Sequence, residues 1–143
     1  MASVSAEIEI AAAPEKVWAV MMDPAQFSAW IDNHQGFIGE PPTALAPGMA
    51  FGQRMRVMGM PAELRWTVDG LEEPRRLVLQ GVGPMGINLT ATQQLNASDA
   101  GTAVSMTYEF KGAAVFAVAG QLQREVGDSL RTSLAKLKSL LES

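Results

Sequence analysis

GAAVFAVAGQLQREVGDSLRTSLAKLKSLLES, residues 112–143, carries the strongest periodic signal in the chain. Val115, Val118, Leu122, Val126, Leu130, Leu134, Leu137 and Leu141 recur three or four residues apart, which puts them on one side of a helix. Arg124, Glu125, Asp128, Arg131, Lys136 and Lys138 fall largely between them, so the opposite side is wet. Starting near Ala113 and fraying after Leu141, the helix would be about 28 residues long and span about 42 Å. A stripe of that length needs a broad apolar surface to lie on.

The sequence upstream supplies one. Val4, Ala6, Ile8 and Ile10 alternate with polar residues, the period of a strand with one wet face. AAAPEKVWAVMMDP then reads as a helix opened by Pro14 and ended by Pro24, followed by a second short helix over about 25–31. Residues 34–48 are rich in Gly and Pro and leave room for a short strand near Phe37 and Ile38. Alternation returns at Phe51–Val57, Leu64–Val68, Leu77–Leu79, Ile87–Gln93 and Val104–Phe110, with turns at GMP (59–61), EEPRR (72–76) and Asp99–Gly101. The order is β-αα-β(about six strands)-α, an α+β single domain over 1–143 with an antiparallel sheet buried on one face.

Composition narrows the function. A chain of 143 residues with 48% hydrophobic content can bury a real core. Having no cysteine excludes disulfides, thiol catalysis and thiolate metal sites, and a single histidine excludes a His-rich zinc site. No metal and no cofactor is expected. The net charge of −4, with Lys and Arg scattered, argues against nucleic acid as the main partner. No run of about twenty apolar residues occurs, so stable membrane insertion is not expected and a cytoplasmic location is the default. Oligomeric state is not specified by the sequence.

Candidate site residues follow from polar or adaptable groups on inward-reading positions. Gln53, Gln93 and Tyr108, and Gln80 on a less certain phase, would be costly inside a sheet without hydrogen bonds, so together they suggest a wet pocket or a ligand. His34, the sole histidine, is a candidate acid or base, which the enzyme alternative would combine with Tyr108 and an acidic residue. Trp30, ending the short helix just before the Gly/Pro stretch, is the expected pocket wall, with loop 39–48 as the entrance. Trp66, Met55, Met106, Leu122 and Val126 would complete an apolar lining. Gly120 and Gly127 weaken the long helix, so close approach to the sheet or room for a ligand would compensate. Arg54, Arg56 and Arg65 share the outer face with Glu63 and Asp69, most simply as cross-strand charge pairs. GVGPMG (81–86) opens no helix and is read as turns rather than a nucleotide loop. No GxSxG, Cys/His or HExxH array is present, so no catalytic residue is assigned.

VSAEIEIAAAPEKVWAVMMDPAQFSAWI, GMPAELRWTVDGLEEPRRLVLQG and the terminal helix together resemble the START/Bet v 1-like (SRPBCC) superfamily, in its polyketide cyclase/dehydrase or coenzyme Q-binding-like subgroup. Pro14, Val17, Trp18, Asp23, Pro24, Phe27 and Trp30 carry the opening motif. The resemblance implies a helix-grip fold, a curved seven-stranded antiparallel sheet around the C-terminal helix with a cavity between them. GMPAELRWTV is also similar to mycobacterial members labelled as toxins. The expected function is noncatalytic binding or transport of a small hydrophobic molecule, such as a lipid, polyketide or isoprenoid. The alternatives are a polyketide cyclase or dehydratase and a toxin-like protein- or RNA-binding module.

Overall fold

The computed structural model describes residues 2–143. Strand β1 (Ala2–Ile10) leads into helices α1 (Pro14–Met21) and α2 (Phe27–Trp30). Strands β2 (His34–Ile38), β3 (Ala50–Val57), β4 (Met60–Glu72), β5 (Arg76–Val82), β6 (Asn88–Ser98) and β7 (Gly101–Lys111) follow, and helix α3 (Val115–Glu142) closes the chain. The strands form one antiparallel sheet in the order β1-β7-β6-β5-β4-β3-β2. This is the expected α+β helix-grip architecture, and α3 has the expected 28 residues.

Local chemistry sets the early boundaries. Pro14 sits in the first turn of α1, where its missing N–H costs nothing. The Asp23 carboxylate accepts the Ala25 N–H at 3.0 Å and caps the short 3₁₀ turn Pro24–Gln26 that leads into α2. Along the strands the alternation holds. Leu64, Trp66 and Val68 of β4, Leu89, Ala91, Gln93 and Leu95 of β6, and Val104, Met106 and Phe110 of β7 are buried on the concave face.

Helix α3 lies in that concavity, burying Val115, Leu122, Val126, Leu130, Leu134 and Leu137. Gly127 is buried on the same stripe, and a Cβ there would stand 3.4 Å from Val4 Cγ1, so the missing side chain lets the helix approach β1. Gly120 departs from expectation, because it is exposed and a Cβ would meet only Arg124 Nη1 at 3.7 Å. The far end of α3 is pinned to the end of β1. Glu142 accepts the Ala11 N–H at 2.8 Å, and Lys138 Nζ donates to Glu9 O at 2.8 Å. The start of α3 therefore lies at the opposite end of the sheet, beside the β3–β4 and β5–β6 turns.

The outer face is ordinary solvated sheet. Arg54 and Glu63, cross-strand partners, form an ion pair at 3.0 Å. Gln80 also faces outward, against the inward reading. Its Oε1 accepts from Thr90 Oγ1 at 2.9 Å, and its Nε2 donates to Asp69 Oδ2 at 3.4 Å.

Candidate functional site: an apolar cleft above a line of polar side chains

Four inward side chains form a line across the concave face. Trp66 Nε1 donates to Gln53 Oε1 at 2.8 Å, and Gln53 Nε2 lies 2.8 Å from His34 Nδ1. An indole can only donate, so it fixes the orientation of the Gln53 amide. That amide must then donate to His34 Nδ1, which leaves the histidine proton on Nε2. On the other side, the Trp66 ring meets Tyr108 edge to face, with centroids 6.4 Å apart. The line crosses from β4 to β7 over small residues. Gly81 of β5 pairs with Trp66, and Ala91 of β6 pairs with Tyr108.

A Cβ on Gly81 would stand 2.6 Å from Trp66 Cε3 and Cζ3. The indole, held by Gln53 and packed on Tyr108, has little room to retreat. Gly81→Ala is therefore expected to destabilise by about 1–3 kcal/mol, read from urea unfolding, and to shift tryptophan emission as the ring moves.

Burial lowers the His34 pKa below its usual 6.5. The native state thus holds the ring neutral where the unfolded chain takes up a proton. The stability this contributes is complete above the unfolded value and is lost as pH falls through the lowered native one. The melting temperature should fall between pH 7 and 5 more steeply for the wild type than for His34→Gln, with the two slopes differing by less than one proton. Equal slopes in thermal scans followed by circular dichroism would contradict the half-buried neutral imidazole.

Burial alone pushes Tyr108 up to about 12, with no hydrogen bond or charged neighbour contributing. The side chain nevertheless retains accessible surface. Its hydroxyl stays protonated throughout the physiological range and can donate. Gln93 Oε1, on the same inner face, is buried without a hydrogen-bond partner among the described residues, as is Trp30 Nε1.

Next to this line, toward the start of α3, an apolar cleft of about 310 Å³ opens between sheet and helix. Leu64, Leu89 and Phe110 form its sheet wall, and Ala114, Val118 and Leu122 its helix wall. Phe110 is the link to the polar line, its ring centroid 6.3 Å from that of Tyr108. Two turns make the lip. Val57 pairs with Met60, so Met58-Gly59 is a two-residue hairpin loop, and both residues have positive φ, 52° and 76°. That is the pattern of a type I′ turn, in which Asn-Gly is favoured. At the second turn Met85 and Gly86 again have positive φ, 60° and 71°. Among the described residues these methionines are the two non-glycine positions with positive φ. A left-handed backbone costs such a residue about 1–2 kcal/mol, and strain of this kind gathers at binding sites. Both methionines line the cleft, as does Met60.

The sequence-selected residues divide accordingly. His34, Gln53, Trp66 and Tyr108 come together in the polar line, and Met55 and Met106 are buried on the same face. Leu122 lines the apolar cleft. Val126 instead borders a smaller polar crevice of about 190 Å³ that includes Asp32, Arg56 and Ser129. Gln93 lies inside, two residues along β6 from the Tyr108 partner Ala91. Trp30 is 0% exposed and sits in the core. Loop 39–48 reaches a different depression, where Thr43, Ala44 and Leu45 face Trp18 and Met22. The apolar cleft lies at the other end of the sheet from the entrance expected beside Trp30. Sequence reading missed Met58, Met85 and Gly81, although Met-Gly occurring twice where a turn prefers Asn-Gly was a usable signal.

The sequence profile for "polyketide cyclase / dehydrase and lipid transport" matches residues 1–142. The chain belongs to this family. Toxin Rv0910 of Mycobacterium tuberculosis (strain ATCC 25618 / H37Rv) is 25% identical over 136 residues, covering 92% of this chain and 94% of that protein. The crystal structure of CV1439 from Chromobacterium violaceum superposes with a TM-score of 0.77 at 17% identity, covering 100% of this chain and 99% of the other. DynU16, from the dynemicin biosynthetic locus, gives 0.74 at 17% identity, covering 100% of this chain and 48% of its own. These similarities establish the START/Bet v 1-like fold for this polyketide cyclase/dehydrase-family chain. Among its described residues, no helix is long and apolar enough to cross a membrane.

Proposed function

We propose that this protein binds a small apolar ligand, of compact polyketide or isoprenoid type, in the cleft between the sheet and the first half of α3. The observation that carries this reading is the cleft itself, with two methionines held at its lip in a costly backbone conformation. Its 310 Å³ falls at the small end of ligand pockets. Removing an apolar body from water there contributes about 25 cal/mol for each Å² buried. Tyr108, packed on the cleft-wall residue Phe110, is the donor that a carbonyl or hydroxyl reaching past Phe110 would meet. Membership of the polyketide cyclase / dehydrase and lipid transport family favours the polyketide class.

Binding without turnover fits the polar line better than cyclisation does. His34 Nδ1 is occupied by Gln53, and the nearest acid in sequence, Asp32, is held by Lys136 at 3.2 Å and Ser129 at 3.2 Å. A general base needs a free lone pair directed at substrate. Partner binding through the outer sheet face remains the second reading, with Arg54 of the three arginines named above paired to Glu63.

The test is titration with an apolar fluorescent probe, such as an anilinonaphthalene sulfonate, together with native mass spectrometry of gently purified protein. Saturable binding, displaced by apolar carbonyl compounds, is expected. Tyr108→Phe should weaken a carbonyl-bearing competitor by roughly tenfold, the value of one hydrogen bond, and leave a plain hydrocarbon unaffected. Absence of both saturable probe binding and any retained small molecule would overturn the reading.

A further inference from the structure

Resting on that binding site, we infer that its lip is a site of reversible methionine oxidation that regulates ligand entry. Three thioethers, those of Met58, Met60 and Met85, line the mouth of the cleft. Met60 is 68% exposed and Met85 75%, while the core methionines Met21, Met55 and Met106 are at 1–2%. A dissolved peroxide therefore reaches Met60 and Met85 at the lip more readily than the core methionines. Two of the three occupy left-handed turn positions that asparagine or glycine would fill with less strain, so the backbone cost is borne to keep a methionine side chain there.

The chemistry is balanced by hydrogen peroxide. A sulfur lone pair attacks one peroxide oxygen, the O–O bond breaks, an S–O bond forms and water leaves. The sulfur is oxidised by two electrons and the peroxide is reduced to water. The product sulfoxide is polar and a strong hydrogen-bond acceptor. Placed around an opening whose walls are Leu64, Leu89, Val118 and Leu122, it hydrates the lip and opposes passage and retention of an apolar ligand. Methionine sulfoxide reductases return the thioether, so the change is reversible.

The experiment exposes the folded protein to limiting hydrogen peroxide, maps oxidation by peptide mass spectrometry and measures affinity for the same anilinonaphthalene probe. Met60 and Met85 should oxidise first and Met21, Met55 and Met106 last, with probe affinity falling roughly tenfold or more and returning after sulfoxide reductase treatment. The affinity of the Met58→Leu/Met60→Leu/Met85→Leu variant for the probe, compared with its own untreated value, should not respond to peroxide. If that variant does not give the native circular dichroism spectrum, Met60→Leu/Met85→Leu, altered only at exposed positions, should show most of the protection. Unchanged affinity after oxidation of Met60 and Met85, or equal loss in the leucine variants, overturns the inference and leaves the binding reading standing. Failure of the untreated protein to bind the probe removes the binding reading first.

Discussion

Leu130→Asp is expected to abolish cooperative folding at room temperature. Leu130 sits in the middle of α3 on the stripe facing the concave sheet and is 4% exposed. Truncating a buried leucine costs about 2–5 kcal/mol. A carboxylate placed there adds a desolvation cost of several kcal/mol, because the neighbouring stripe residues Val126, Leu134 and Leu137 are apolar. Against a total stability of about 5–15 kcal/mol for a domain of this size, the sum removes most or all of it. Leu140→Asp, at an exposed position of the same helix, should leave the melting temperature nearly unchanged. Circular dichroism melts of the two variants separate loss of the helix–sheet contact from a general effect of charge on α3. A native melt for Leu130→Asp would mean that α3 does not lie in the sheet as described.

That contact was legible from the sequence because one period of 3.6 residues ran through 28 residues without conflict, and six alternating segments offered it a surface. Residues selected for facing inward, such as Gln53, Trp66, Gln93 and Tyr108, do face inward. Periodicity reports which face a side chain occupies, but not how far along the sheet it lies or which end of the hollow is open. Trp30 illustrates the limit. Its position beside a Gly/Pro-rich loop suggested a wall, yet the short helix turns it into the core. Gln80 illustrates another, since phase is lost where Gly81 and Gly83 interrupt alternation and a bulge between Val68 and Gly70 shifts the neighbouring register. The cleft's lip depends on backbone conformation at Met58 and Met85, which composition does not display. In the sequence Gly81 only interrupts the alternation, whereas the ring of Trp66 lying over it is a contact between strands that the register reveals.

Ala62→Trp should close the cleft while preserving the fold. Ala62 lies on β4, two residues before Leu64 on the same inward face, and borders the cleft as a small, partly buried side chain. An indole there projects into empty apolar space rather than into packed atoms, so it replaces ligand surface with side-chain surface. Stability should change by no more than about 1 kcal/mol, whereas affinity for an apolar probe should fall at least roughly tenfold. Ala135→Trp, which adds the same ring at an exposed position on α3, controls for a new surface aromatic and should leave affinity unaltered. The contrast with Leu130→Asp is what makes the measurement informative. One variant removes binding by unfolding the molecule, the other by filling a volume in a molecule that still melts normally. Undiminished binding in folded Ala62→Trp would place the ligand elsewhere, with the polar crevice beside Val126 and Arg56 as the next site to block.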